Sequence, residues 1–426
     1  MPTHEQVSLY HTPGGIPVII EKLPYFRSVA LSVNVMVGSR DEAADKSGIA
    51  HLLEHLMFKG TKDQSAKQIA DMIEGAGGEL NGFTTKEMTS FHVFSLDETI
   101  ETAEKLLSSM MVHPLIDDDH VQVEKGVVAQ EINMLEEEPE SYAHVLLDRS
   151  IWRGHPMANS ESGEVGCVRR ISTEDLRSFY ERNYRKPKLT VVACGNLNPK
   201  QVLKWAAENF DDIGTAKGEV KRSTPRFRSS IDVYPKDGDQ AYVELGVPAF
   251  GAKQQQRFAA SLAAVILGAG TSSRLYQRIR EEEGLVYTIY MSPAIYSDCG
   301  VIEGYFSSSV ENAEKVIQLS AEEMRRFKNE GLEKGELERA KRWVKGVFLR
   351  KLESTENRMY WLGENHMLTG KVKSLQEMVE EFESITEEDV VKTANEVLKV
   401  KKLCMAIHAP EKEGKELAKN IRGIDF

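Results

Sequence analysis

An α+β chain of two related domains is the fold class this sequence predicts, and three observations predict it. Strand-like runs are mixed with long helical stretches and do not alternate strictly with them, which favours helices packed on a largely antiparallel sheet. At 426 residues the chain exceeds the size at which one hydrophobic core keeps growing. The second half also repeats the order of the first: Ala103-Glu104-Lys105 is answered by Ala313-Glu314-Lys315, Lys125-Gly126-Val127 by Lys345-Gly346-Val347, and Ile171-Ser172-Thr173-Glu174-Asp175 by Ile385-Thr386-Glu387-Glu388-Asp389. The expected division is a first domain over residues 1–214, a polar linker over 215–230 containing Gly218 and Pro225, and a homologous domain over 231–426.

The elements follow in order. Residues 15–37 alternate and are rich in β-branched side chains, broken by Lys22-Leu23-Pro24, which reads as two strands joined by a turn. Ile49, Leu52, Leu53, Leu56 and Met57 recur at helical spacing, and Gly60 stands where a capping glycine would. Helices are expected over 64–75, 98–111 and 117–137, the last ended by Pro139, and strands over 91–96 and 189–194. Ser172 followed by Asp175 opens a further helix.

Composition excludes several functions. The apolar fraction of 41% and charged fraction of 28% belong to an ordinary folded protein. A net charge of -12 argues against nucleic-acid binding, which needs a basic face. It is compatible with basic peptides, or with nothing more than a solvated acidic surface. Cys167, Cys194, Cys299 and Cys404 are isolated, which fits neither a disulfide framework nor a thiolate zinc site and points to a reducing compartment. The N-terminus shows no signal-peptide pattern and no window approaches a membrane span, so a cytoplasmic protein is expected.

Chemistry concentrates in His51-Leu52-Leu53-Glu54-His55. Two imidazoles four residues apart project from one helix face and can close on one ion, while Glu54 points to the same side and can take a proton from water at a metal. H-x-x-E-H is the signature of the inverted zincins. A catalytic zinc wants a third protein donor, and Glu131 is available on the long helix, with Glu124 seven residues earlier on the same face to support a ligand histidine. Two glutamates on a helix face are, taken alone, more often simply solvated.

Residues 51–61, His51-Leu52-Leu53-Glu54-His55-Leu56-Met57-Phe58-Lys59-Gly60-Thr61, with Glu124-Lys125-Gly126 and then Glu131, resemble the pitrilysin and insulinase family of metallopeptidases over essentially the whole chain. Within it the branch of the catalytic (beta) subunit of mitochondrial processing peptidase is the most similar. The resemblance implies one zinc ion per chain held by His51, His55 and Glu131, Glu54 as general base, and Glu124 as a supporting acid. It also implies a zinc-dependent endopeptidase acting on extended peptides.

Beyond the zinc motif, the glycine-rich turn from Gly75 leads to Asn81-Gly82-Phe83-Thr84, which composition alone reads equally as a mere hairpin turn or as a strand where missing side chains let another backbone approach. By the resemblance it is a substrate-binding edge strand that a peptide joins by β-augmentation. Arg280 and Tyr287 resemble the family's arginine and tyrosine pair, suited to a carbonyl gaining negative charge, although an exposed helix-end arginine and a core tyrosine would read the same. Four such domains form the family's closed clamshell, so this two-domain chain is half of one and a homodimer is expected. Two other readings stay open: a non-catalytic scaffold subunit of the same fold, or a catalytic subunit that needs an inactive partner chain.

Overall fold

The computed structural model describes residues 7–216, 222–399 and 402–424. Part of the expected linker, 217–221, lies outside them. Two compact units are present: the described residues of Met1–Asn133, Asn159–Arg222 and Leu349–Leu375 form one, and those of Met134–Ala158, Ser223–Phe348 and Gln376–Phe426 form the other.

The first unit holds a six-stranded sheet built from β1 (Val7–His11), β2 (Pro17–Lys22), β3 (Ser28–Val35), β4 (Glu79–Thr84), β5 (Thr89–Leu96) and β6 (Leu189–Gly195) in the order β1-β2-β6-β3-β5-β4. Only the β2–β6 pair is parallel. Its helices include α1 (Ile49–Met57), α2 (Ala66–Gly75), α3 (Ile100–Val112) and most of α4 (Asp118–Glu137). The second unit holds β7 (Ile231–Pro235), β8 (Gln240–Ala249), β9 (Thr288–Ile295), β10 (Gly300–Ser309) and β11 (Cys404–Ala409) in the order β7-β11-β8-β10-β9, with β7–β11 the parallel pair. Both units are therefore α+β with largely antiparallel sheets, the class the sequence predicts. The repeat is visible in detail, because Ser172 with Asp175 and Thr386 with Asp389 both form capping boxes at helix starts.

The units do not follow the two sequence halves. Pro139 ends α4 but also occupies the first turn of α5 (Pro139–Ile151), a helix absent from the elements expected above although Ala143, Leu146, Leu147 and Ile151 recur at helical spacing. Leu146, Leu147, Ile151 and Trp152 pack with Val301, Cys404 and Ala406, so burial assigns α5 to the second sheet. In exchange, Met359 and Leu362 of the helix Thr355–Thr369 pack on Ile19, Ala30, Val192 and Cys194 of the first sheet. That cover explains why β3 is buried on both faces although Ser32 and Asn34 alternate with its apolar residues. The first unit also runs past residue 214: Arg222 donates from Nε and Nη2 to Asp41 at 2.9 and 2.7 Å. All four cysteines are free. No helix among the described residues is long and apolar enough to cross a membrane.

Candidate metal centre

α1 is held at its start by a backbone device. Gly48 has φ 93°, and a Cβ there would meet the Ser162 carbonyl at 2.6 Å, so both conformation and space demand glycine. Glu42 then accepts from the Gly48 and Ala50 N–H groups, each at 2.8 Å, satisfying donors that a helix N-terminus leaves open. Burial pushes the Glu42 carboxyl up to about 8. The apolar side of α1 enters the core through Leu52, Leu53, Leu56 and Met57, which turns His51, Glu54 and His55 towards α4 and β4.

There the three expected metal donors come together. Glu131 Oε2 lies 3.4 Å from His55 Nε2 and 3.8 Å from His51 Nε2, and one donor atom from each residue falls within 4.8 Å of the others. Two imidazoles and a carboxylate at these separations fit a tetrahedral zinc ion with one position open. Burial, helped by neighbouring His55, lowers His51 to about 4, so its ring is a neutral lone-pair donor at pH 7. Glu124, 2% exposed, stands 3.1 Å from His55 Nδ1 and fixes which nitrogen that ring turns to Glu131. Its other oxygen takes Lys59 Nζ at 2.9 Å.

Glu54 is buried beside this group. Thr84 Oγ1 donates to Glu54 Oε2 at 2.6 Å. Burial raises the Glu54 carboxyl to about 7, with the Thr84 hydrogen bond pulling the other way. Asn81, Gly82, Phe83 and Thr84 all lie on β4, the edge strand of the first sheet. A Cβ at Gly82 would approach Glu54 Cγ at 3.3 Å, so the missing side chain lets this strand pass close to the base. Asn81 Oδ1 accepts from the Gly82 N–H, and the Phe83 ring meets His92 and Tyr360. Arg280 and Tyr287 belong to the second unit, where Arg280 is half-buried on the helical turn Tyr276–Glu282 and Tyr287 is 85% exposed.

Sequence reasoning missed two members of the site, Glu42 and Lys59, for which it assigned no role. Thr84 was named for the substrate-binding strand, and here its hydroxyl engages Glu54. That contact spans 30 residues, so no local pattern announces it.

An H-x-x-E-H helix facing a glutamate from a second helix, beside an edge strand of an α+β unit, defines the inverted-zincin class. The profile described as Insulinase (Peptidase family M16) matches residues 17–164, and that described as Peptidase M16 inactive domain matches 170–343. An uncharacterized zinc protease of Streptomyces coelicolor is 31% identical over 91% of this chain and 86% of its own length. The uncharacterized zinc protease YmxG of Bacillus subtilis is 31% identical over 90% of this chain and 94% of its own. A protease from Helicobacter pylori shares the fold, with a TM-score of 0.87 at 21% identity over 95% of this chain and all of that one. The chain belongs to peptidase family M16, the insulinase family.

Proposed function

We propose that the chain is a zinc-dependent endopeptidase that hydrolyses extended peptides, in the branch of the catalytic subunit of mitochondrial processing peptidase. What supports the reading above all is the convergence of His51, His55 and Glu131 with Glu54 held alongside them on Thr84. His51, His55 and Glu131 would hold one zinc ion, and when bound that ion supplies Lewis acidity to polarise the scissile carbonyl. A peptide strand pairs with the free edge of β4, displacing the Asn81 side chain from the Gly82 N–H beside Glu54. Glu54 Oε2 is occupied by Thr84, which leaves Oε1 to take a proton from the attacking water and return it to the leaving amine. A carboxyl raised to about 7 is well matched to that exchange at neutral pH, and a nearby cation would lower it again.

Assembly completes the proposal. A second copy of the chain would contribute Arg280 and Tyr287 as donors to the carbonyl oxygen, making a homodimer of four domains. The profile described as an inactive domain covers both residues, in a stretch that carries no H-x-x-E-H motif of its own.

The test is to incubate the purified protein with a peptide mixture, with and without chelator, beside Glu54→Gln. Chelator-sensitive internal cleavage, lost in Glu54→Gln at unchanged zinc content, is the expected outcome. Cleavage by Glu54→Gln at the unmodified rate removes the base assignment, and absence of stoichiometric zinc favours a non-catalytic scaffold. Sedimentation of a fully active monomer removes the homodimer.

A further inference from the structure

The sheet of the second unit carries a cluster that the proposed peptidase chemistry does not use. Glu244 on β8, Tyr305 on β10 and Tyr290 on β9 stand directly across from one another in register. Glu303, two residues before Tyr305, shares their face. α5 covers that face, since a Cβ at Gly246 would meet Ile151 and Leu147, and it presents Glu140 and His144 one turn apart.

Glu244 is fully buried, and neither of its carboxylate oxygens has a hydrogen-bond partner. His144 Nδ1 lies 3.0 Å from Glu244 Oε1 and 3.9 Å from Glu303 Oε2. On the far side of the ring the Tyr290 hydroxyl donates to Glu140 Oε1 at 3.1 Å and sits 3.1 Å from His144 Nε2. With its own proton committed to Glu140, the phenol oxygen accepts from Nε2–H. That tautomer leaves the Nδ1 lone pair turned to the two carboxylates. Electron-rich groups converging in a buried place repel one another unless a positive charge lies among them.

We propose that His144, Glu244 and Glu303 form a second divalent-cation site, suited to a borderline ion such as zinc, that shares no residue with the His51 centre. Nitrogen and oxygen donors held about 2.0–2.2 Å from one tetrahedral ion stand about 3.3–3.5 Å apart. The observed separations of 3.0 and 3.9 Å fall on either side of that range, while at the first centre 3.4 Å lies within it and 3.8 Å above it. The three donor atoms here likewise fall within 4.8 Å of one another. Tyr290 and Glu140 orient the imidazole from behind, as acceptors behind ligand histidines do. The His144 side chain is 38% exposed and gives an ion a route in. The rival occupant is a proton on Nδ1, because a hydrogen bond from there to the Glu244 carboxylate raises His144 to about 9 when no ion is bound.

The double variant His51→Ala/His55→Ala isolates this site. After chelator treatment and dialysis against zinc chloride, it should retain about one equivalent of zinc per chain, falling to background when Glu244→Gln is added. Cobalt in place of zinc should give a visible absorption band that depends on Glu244 in the same way. If Glu244→Gln does not fold, Glu303→Gln in the same background should weaken zinc binding by about tenfold or more. Background zinc in the folded double variant overturns the proposal in favour of the proton, and so does zinc retained when Glu244→Gln and Glu303→Gln are combined. Loss of activity enters none of these readings, so failure here leaves the His51 centre untouched.

Discussion

Thr84 donates its hydroxyl proton to Glu54 across 2.6 Å, joining the edge strand β4 to the helix that carries both motif histidines. The bond stabilises the charged carboxylate and opposes the burial that raises its pKa.

Replacing Thr84 by Val should therefore raise the Glu54 pKa and shift the acid limb of the kcat/KM profile to higher pH by up to about one unit. Turnover at neutral pH should fall about tenfold, because the base is both less ionised and less well aimed. A pH–rate profile for peptide cleavage checks both; an unmoved acid limb would show that the hydrogen bond does not tune Glu54.

Glu124 stands 3.1 Å from His55 Nδ1 and also holds Lys59, so under the proposed function it supports a ligand ring. Glu124→Gln should weaken zinc binding by about 10–100-fold while leaving Glu131 in place. Competition with a chromogenic chelator measures this directly, and equal affinity in the two proteins would sink the idea that Glu124 supports the ring.

Gly82 has almost no room for a side chain, with Phe58 Cζ and the Ser90 carbonyl each 3.0 Å from a Cβ built there. Gly82→Ala should push β4 away from Glu54, raising KM and costing about 1 kcal/mol of stability. Thermal unfolding with a kinetic split of kcat and KM tests this; wild-type values for all three would mean that the strand yields freely.

His92 is buried against Tyr360 Oη at 2.7 Å, and burial lowers its pKa from 6.5 to about 4. The unfolded chain binds a proton near pH 6.5 that the folded chain does not take until about pH 4. Stability is thus full above pH 6.5, declines as the pH falls through that window, and levels off below it, by on the order of 3 kcal/mol at most. His92→Gln, which keeps an acceptor for Tyr360, should flatten part of that slope in denaturant titrations on zinc-loaded protein. An unchanged slope would exclude His92 as a source of acid sensitivity.

Much of the centre is legible in the amino-acid order alone. His51, Glu54 and His55 share a face because four residues make about one helical turn, and Ser172 with Asp175 announces a helix start by spacing. Glu131 and Glu124 are legible as one face of one helix, but their approach to His51 and His55 is not a matter of spacing. The partners that tune the site are silent: Thr84 lies 30 residues from Glu54, and Lys59 reaches Glu124 from beyond the end of α1. Nor does the pattern reveal that α5 covers the second sheet and brings His144 to Glu244, 100 residues away.

What the sequence determined by itself is which side chains share a face, because backbone period and capping are local and need only neighbours in the chain. The tertiary structure decided which strand stands at the edge, which helix covers which sheet, and so which charges meet. Those outcomes follow from competition among distant apolar surfaces and unpaired strand edges, whose free energy is set only when all of them are packed at once.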